Sequence, residues 1–213
     1  MPATRVGRPR RYEAEDELRI LLDAALAVME RNGYADAAVA DILREANLST
    51  RSFYRHFESK DQLLCALFRR EAEAAAARLD AKVEAAGHPR AALDAWIDEI
   101  LSFGHHRVKA ARASVLGSPA AMRAEGYADE MRHASRLLLA PLEALLTRGA
   151  ADGTFPLADP AVDAPLVQSV VWAAAGLTPT RETRVSRAEA ARDVRSFCER
   201  ALGAEGVSPR RDR

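Results

Sequence analysis

The sequence lacks the marks of an enzyme, a membrane protein and a secreted protein. It has no GxSxG, GxGxxG or HExxH motif, no phosphate-binding P-loop and no zinc-ligand spacing. No apolar run reaches the ~18 residues that a membrane span needs, and the N-terminus lacks the apolar core of a signal peptide. We therefore expect a cytoplasmic protein that is not an enzyme and that holds no metal or cofactor.

Cysteine and histidine are too sparse to form an evident metal or disulfide site. Cys65 and Cys198 stand far apart and outside any CxxC spacing. We interpret both as small apolar residues, with a redox switch as the alternative. His105 and His106 are adjacent, and neighbours on a helix point about 100° apart, so they cannot easily share one metal ion.

Net charge is also absent, although the basic residues are clustered. The chain has 31 Lys and Arg against 31 Asp and Glu. Residues 5–11 nevertheless hold four arginines and no acid, and residues 50–60 hold three cations against one acid. Local basic patches of this kind, rather than the total charge, set how strongly a chain attracts nucleic acid.

The segment at residues 36–64 predicts two short helices, a tight turn between them and a third helix directly after. In the first helix, apolar residues recur at i, i+3, i+4 and i+7, and the face they form consists of Val39, Ile42, Leu43 and Ala46. Asn47 tolerates the left-handed conformation that ends a helix, and Ser49 is placed to cap the next one. Ser59 and Gln62 fit a capping box at the start of the third helix.

The second helix, residues 50–56, predicts a surface that reads DNA. Phe53 and Phe57 lie four apart and form its buried side. The other side has hydrogen-bond donors and two cations but no carboxylate: Thr50, Arg51, Ser52, Tyr54, Arg55 and His56. A helix, a three-residue turn and a short donor-rich helix form a DNA-binding helix-turn-helix. Within it, the candidates for contact with base edges are Thr50, Arg51, Ser52 and Arg55.

This segment resembles the N-terminal domain of the TetR (tetracycline-repressor-like) family of bacterial transcription regulators. The match is long and gap-free from Leu18 on, and it includes Gly33-Tyr34, Asp41-Ile42, Glu45-Ala46, Leu48-Ser49, residues 53–57, Ser59-Lys60 and Leu63-Leu64. The resemblance implies phosphate contacts by Tyr54, His56 and Lys60.

One departure from the family concerns a helix cap. Ala38 stands where the family commonly has a Thr or Ser that caps the first helix of the motif and touches phosphate. We expect Asp36 to cap that helix instead. Asn47, where a glycine is usual, is sterically tolerable.

No strand pattern occurs, and the sequence predicts an all-α fold. Glycine and proline separate predicted helices at residues 18–32, 59–86, 90–108, 109–116, 122–151, 162–177 and 187–203. We divide the chain into a disordered basic arm (1–12), a three-helix DNA-binding domain (13–65), a helical ligand-binding and dimerisation domain (66–203) and a disordered tail (204–213). The 59–86 helix belongs to both domains and is the expected mechanical link.

Two interpretations of the basic arm stay open. Arg8 and Arg10 enter an adjacent minor groove, as the arms of homeodomains do. Alternatively, the arm only adds attraction to phosphates.

The family resemblance also implies a ligand pocket in the C-terminal domain. An apolar pocket with a few polar groups is the usual form of a small-molecule site, and His105 is one candidate polar group. The other candidates are Trp96, Ile100, Phe103, Met131, His133, Gln168 and Trp172. The alternative for most of them is packing in the core.

The last two predicted helices are candidates for a dimer interface. The 162–177 segment is apolar nearly all round, so it must be covered on several sides. In the resembled family a second copy covers such helices in a four-helix interface, and the candidates are Val170, Ala174, Val194, Cys198 and Ala201. The alternative is that both helices close the core of a monomer.

These observations predict a homodimeric DNA-binding transcription regulator, a repressor that a small-molecule ligand releases from a palindromic operator. One alternative is a DNA-binding dimer without ligand control. The other, an α-helical enzyme, has no supporting motif.

Overall fold

Nine α-helices and one 3₁₀ turn form the parts of the chain that the computed structural model describes, residues 14–177 and 185–204. The elements are α1 (Ala14–Asp36), α2 (Val39–Ala46), α3 (Thr50–His56), α4 (Lys60–Ala85), α5 (Pro89–His105), α6 (Arg107–Leu116), the 3₁₀ turn (Ala121–Arg123), α7 (Tyr127–Ala151), α8 (Pro160–Ala174) and α9 (Arg187–Leu202). No strand occurs in the described residues, and the predicted all-α class is confirmed. The arm with Arg8 and Arg10, and the tail from residue 205 on, lie outside them.

Local capping residues set the ends of α2, α3 and α4. Asn47 ends α2 in the left-handed conformation, at φ 51°. Ser49 Oγ accepts a hydrogen bond from Ser52 N at 3.2 Å and so caps α3. Ser59 Oγ caps α4 by accepting from Gln62 N at 3.1 Å. These caps satisfy backbone N–H groups that have no partner inside the helix, which is why the predicted turn and helix starts are correct.

The N-terminus of α2 has no side-chain cap. Ala38 occupies the capping position with extended backbone and has no oxygen to offer the first turn. The expectation that Asp36 supplies this cap is wrong. A capping side chain acts from the residue directly before the helix, and Asp36 is two residues further back, at the end of α1.

Several helix boundaries after α4 differ from the prediction, among them the end of α5 and the starts of α6, α7 and α8. His106 adopts extended backbone, which ends α5 before the predicted position and starts α6 earlier. Gly126 has φ 82°, so α7 starts after it and a 3₁₀ turn stands where the first turn of that helix was expected. Asp159 caps α8, and Pro160 occupies its first position, where the missing N–H has no consequence.

Two hydrophobic clusters fill the interior. The N-terminal cluster is built mainly by α1 to α4, but Leu116, Ala121 and Tyr127 also belong to it. The C-terminal cluster is built by α4, α5, α7, α8 and α9. Since the end of α6 and the start of α7 pack into the N-terminal cluster, the two parts of the molecule share packing. The predicted division at residue 65 stays a prediction.

A close backbone approach joins α5 to the end of α8. A Cβ atom added at Gly104 would lie 1.7 Å from the carbonyl oxygen of Ala175. Only glycine fits there, because any side chain would push the two helices apart. This contact fixes one wall of the cavity described below.

Candidate DNA-binding face and internal cavity

α3 presents a polar face to solvent. Thr50, Arg51, Tyr54 and Arg55 are exposed, and Tyr54 is 63% exposed. On the opposite side Phe53 and Phe57 are buried, with ring centroids 5.8 Å apart. The predicted buried side is therefore confirmed, and a rigid aromatic anchor holds the exposed side chains outward.

Ser52 is not on the exposed side. It is buried, and its hydroxyl lies 3.2 Å from that of Ser49. This position corrects the prediction of an outward side chain. Ser52 lies three residues after the cap, on the same side of the first turn, so its hydroxyl joins the capping arrangement.

Arg55 and His56 meet a carboxylate of α1. Arg55 Nη1 donates to Glu17 Oε2 at 2.7 Å, and His56 Nε2 lies 3.5 Å from the same oxygen. Glu17 is only 6% exposed. The cation predicted to read a base edge is thus held on α1, and the sequence analysis did not find its partner.

Lys60 lies against the end of α1. Its Nζ donates to the carbonyl oxygens of Tyr34 at 2.9 Å and Ala35 at 3.2 Å, and lies 4.5 Å from the centre of the Tyr34 ring. A cation favours the carbonyl end of a helix. The side chain expected to contact phosphate therefore closes the α1–α4 junction in this structure.

Asp61 connects the DNA-binding helices to the loop before α7. Its carboxylate accepts a hydrogen bond from the Tyr34 hydroxyl and another from Glu125 N at 2.9 Å. These two bonds lower the pKa of Asp61, the one from Tyr34 more than the backbone one. Burial, followed by the contact with Asp61, raises the pKa of Tyr34.

Further contacts strengthen this junction. Cys65 Sγ donates to Glu125 O at 3.3 Å, and Arg69 of α4 pairs with Glu130 of α7. Arg112 of α6 lies 3.2 Å from Glu30 of α1 and also contacts α4. α6 and α7 are thereby joined to α1 and α4. A movement of α6 or α7 would therefore be transmitted to the helices that pack around α3, which we call the reading helix.

A large cavity lies between α4, α5, α6, α7 and α8. Its volume is about 1020 Å³, and it is partly open to solvent. Three of the predicted pocket residues line it, Phe103, Met131 and Trp172. His105, the candidate polar group, lines it as well.

The other four predicted pocket residues do not line the cavity. Trp96 and Ile100 are fully buried in the C-terminal cluster, and the Trp96 indole N–H donates to Leu138 O at 3.0 Å. Gln168 joins α8 to α7 through two hydrogen bonds with Ser135, both of 3.1 Å. His133 is half-buried on α7, outside the cavity wall.

Charged side chains also line the cavity, and none of them was among the predicted pocket residues. Arg78, Lys109 and Arg112 line the cavity, with Glu71 as the acid among them. Glu71 itself is paired with Arg70 and Arg112 at 3.1 Å each. The wall therefore has more positive than negative charge.

A buried carboxylate stands behind two of these cations. Glu99 of α5 is 1% exposed and receives hydrogen bonds from Lys109 at 2.5 Å and Lys82 at 2.6 Å. Arg78 lies 3.9 Å away. Burial acts to raise the pKa of Glu99, but the hydrogen bonds from Lys109 and then Lys82 outweigh it and hold the pKa below its ordinary value.

Three polar atoms of cavity-lining residues are buried without a hydrogen-bond partner among the described residues. They are His105 Nε2, the Tyr127 hydroxyl and Trp172 Nε1. Buried polar groups in folded proteins are nearly always paired. All three atoms are enclosed by neighbouring protein atoms, so they lie behind the surface of the cavity and do not face it.

The predicted dimer residues are mostly inside the chain's own core. Ala174, Val194 and Cys198 are buried, whereas Val170 is half-buried and Ala201 exposed. Burial raises the pKa of the Cys198 thiol to about 12, as expected of an apolar core position. The stripe predicted on the last helix therefore packs inward, and this corrects the assignment of three interface residues.

A different pair of faces on α8 and α9 is apolar and exposed. Val162 and Leu166 lie four apart on α8 and are 53% and 57% exposed. Phe197 and Ala201 lie four apart on α9 and are also exposed. Large exposed apolar side chains at helical spacing on two neighbouring helices are typical of an interaction surface.

The described residues contain no metal site and no membrane span. No three His, Cys, Asp or Glu side chains come together there as metal ligands would. None of the described helices combines the length and the apolar character that crossing a membrane requires.

The helix-turn-helix segment matches a family model. Residues 21–67 match the model of the bacterial regulatory proteins, tetR family. The HTH-type transcriptional repressor KstR of Mycolicibacterium smegmatis is 28% identical over 147 residues, which cover 66% of this chain and 67% of that protein.

Solved structures share the fold over most of the chain. The regulator FadR from Bacillus subtilis, in complex with stearoyl-CoA, matches with a TM-score of 0.70 at 16% identity and covers 86% of this chain and 98% of its own. A putative regulator from Saccharomonospora viridis, in complex with choline, gives 0.72 at 18% identity, with 87% and 96% covered. In this helix-turn-helix and this fold, the chain is similar to the transcriptional regulators of the tetR family.

Proposed function

We propose that the protein is a cytoplasmic, homodimeric repressor that leaves a palindromic operator when a small molecule fills the cavity. The main support for this proposal is that one set of residues belongs both to the packing under the helix-turn-helix and to the wall of the cavity. Leu116 and Tyr127 belong to the N-terminal hydrophobic cluster, Phe68 and Met131 pack against it, and all four also line the cavity. A ligand that displaces this shared wall displaces the packing under the helix-turn-helix.

We assign the DNA contacts of α3 to a few of its side chains. Arg51 and Thr50 are exposed and free of the Glu17 contact, so we assign base reading first to Arg51. Tyr54 is suited to a phosphate contact. Arg55 joins them only if DNA phosphates replace Glu17 as its partner. Arg8 and Arg10 are proposed to add the arm's contacts.

The proposed dimer interface is the exposed apolar surface of α8 and α9. Val162, Leu166, Phe197 and Ala201 form its centre, and Val170 continues it along α8. Pairing of these two helices with those of a second copy buries all four, and a twofold axis then places two reading helices on one side of the dimer.

Related proteins support both the repression and the ligand. KstR is a transcriptional repressor, and the structures from B. subtilis and S. viridis hold stearoyl-CoA and choline. A DNA-binding dimer without ligand control is the second candidate. The cavity argues against it, because about 1020 Å³ is at the upper end of small-molecule sites.

Operator selection from random DNA tests the proposal. We expect a roughly palindromic site with half-sites about 34–36 Å apart, or near a multiple of that, since one reading helix per subunit enters the major groove. Sedimentation of the free protein should show a dimer, and Leu166→Glu should give monomers that no longer select paired half-sites. Single half-sites bound by monomers of the parent protein would contradict the dimer.

The same selection separates the roles on α3. Arg51→Ala should relax the preference at one base step per half-site, because a bidentate arginine–guanine contact discriminates by ~1–3 kcal/mol. Tyr54→Phe should lower affinity for all sites alike and leave the preferred sequence unchanged. If Arg51→Ala keeps the parent's sequence preference, base reading belongs to another residue.

A further inference from the structure

Two of the three cations on the described cavity wall lie together at one end. Lys109 and Arg78 meet there, and Lys82 approaches the same carboxylate from outside the cavity. Glu99 is the single acid of this group, so three cations share one negative charge. Lys109 Nζ donates to Glu99 and to Ser102 Oγ at 2.8 Å, which leaves one of its three protons for another acceptor.

The other end of the cavity is mainly apolar, although Glu71, three residues from Phe68 on α4, and its partner Arg112 also line it. Phe68 and Arg78 both face the cavity from α4, ten residues apart, which corresponds to roughly 15 Å along the helix. The rings of Phe68 and Tyr127 lie 5.4 Å apart, and Leu116 and Met131 line the cavity and share the N-terminal cluster with them. The cavity is therefore polarised, with its cationic end remote from the reading helix and its apolar end beneath it.

The described part of the wall offers a ligand more hydrogen-bond donors than acceptors. Its three cations, Arg78, Lys109 and Arg112, can only donate. Glu71, the one acid of the wall among the described residues, is already paired with two arginines. Aromatic residues do line the cavity, but the neighbouring cations oppose a positively charged ligand.

We propose that the cavity binds a molecule with an acidic head and an apolar body. The head, a carboxylate or a phosphate, pairs with Lys109 and Arg78. The body extends along α4 toward Phe68 and Tyr127, where it presses on the wall shared with the DNA-binding domain. This inference rests on the proposed function, since it names the class of the releasing ligand.

The test uses probes of one chain length with different heads. Decanoate, decyl phosphate, decanol and decyltrimethylammonium are titrated below their micelle concentrations, and affinity is taken from the shift of the thermal unfolding midpoint. We expect one of the two acids to bind at least about tenfold more tightly than decanol, because a charge-assisted hydrogen bond is formed only with the acid. Which acid is preferred identifies the head. Equal binding of decanol or decyltrimethylammonium, or no binding by any probe, would overturn the proposal.

Two lysines provide a matched pair of variants. Lys109→Gln and Lys82→Gln each remove one hydrogen-bonded cation from Glu99, but only Lys109 lines the cavity. We expect Lys109→Gln to abolish the preference for the acid over decanol, with decanol binding unchanged. Lys82→Gln should retain that preference. Equal loss in both variants would mean that the charge acts through the fold and not through contact with the ligand.

Operator binding distinguishes failure of this proposal from failure of the proposed function. If a neutral compound fills the cavity and releases the operator, the regulator is ligand-controlled and the acidic head is wrong. If decanoate binds with the expected preference and the operator complex survives, the ligand class holds and the release mechanism fails.

Discussion

Glu17 beneath the reading helix and Glu99 behind the cavity wall are both buried carboxylates that hold cations of a functional surface. Glu17 binds Arg55, with His56 nearby, and the pair is close to electrically neutral. Glu99 binds Lys82 and Lys109, with Arg78 within ion-pair distance, and positive charge is in excess.

The difference indicates how each surface meets an anion. If DNA phosphates bind Arg55 as proposed, they must compete with Glu17, and breaking that pair offsets part of the binding energy. In the cavity an anion meets cations that one carboxylate cannot neutralise, and it completes the arrangement without breaking it. The neutral Arg55–Glu17 pair favours DNA only where a phosphate is placed to replace Glu17. The surplus of positive charge at Glu99 favours binding of an anion without such a replacement.

The largest expected effect is loss of stability in Glu99→Gln. The amide has no charge to neutralise the two lysines that the buried carboxylate now holds. Both lysines are partly exposed, so renewed hydration replaces only part of the lost interaction. We expect a decrease of about 2 kcal/mol in the free energy of unfolding at pH 7, measured by urea denaturation. Lys82→Gln, which leaves Lys109 on the carboxylate, should cost less. Equal stability of Glu99→Gln and the parent would show that the cluster is not a structural centre.

The pH dependence of this loss provides a second measurement. The pKa of Glu99 lies below its ordinary value in the folded protein. The stabilisation is therefore fully present above the ordinary glutamate pKa of about 4.3 and disappears as the pH falls through the folded-state pKa. The stability difference between the parent and Glu99→Gln should be constant from about pH 5.5 to 8 and shrink below about pH 4.3. A difference that persists at low pH would assign the effect to packing.

The next largest effect concerns Glu17 and DNA. Glu17→Gln removes the partner of Arg55, so we expect affinity for all sequences to rise by about tenfold at low salt, with a log–log salt slope steeper by about one. Glu15→Gln is the matched control, because Glu15 is an exposed acid two residues away on the same helix. Equal changes in the two variants would show that net charge, and not release of Arg55, is responsible.

The helix-turn-helix could be predicted because its determinants are local. Asn47, Ser49 and Ser59 each act on backbone groups within three or four residues, and Phe53 and Phe57 share a face by helical spacing alone. The pairing of Arg55 with Glu17 could not be predicted, since the partners are 38 residues apart and the pattern of α3 gives no sign of the acid beneath it.

The cavity wall was predicted only in part for a related reason. Phe103 and Trp172 line it, whereas Trp96 and Ile100, equally apolar and on the same helix as Phe103, are in the core. Residue type does not separate lining from core, because the distinction depends on where neighbouring helices diverge. The cations of the wall gave no signal either, since isolated lysines and arginines on helices are ordinarily solvated.

The smallest expected effect is a control for the comparison of Glu17 with Glu99, because the substitution changes the helix-turn-helix without changing any charge. Ala38→Ser supplies the missing cap of α2, and its hydroxyl can accept a hydrogen bond from the first turn of that helix. We expect a gain of about 0.5–1 kcal/mol in the free energy of unfolding. Ala38→Gly changes the backbone without adding a hydroxyl, and it should fall short of Ala38→Ser by a few tenths of a kcal/mol. Amide hydrogen exchange should show the added protection in α2 and α3, with no change around Glu99 and no change in the salt slope of DNA binding. A steeper slope would mean that the introduced hydroxyl contacts phosphate directly. The effect of Glu17→Gln on DNA binding would then have to be measured in variants whose α2 is equally stable.

No gain in protection would show that α2 is held by Ile42 and Leu43 in the core and not by its first turn.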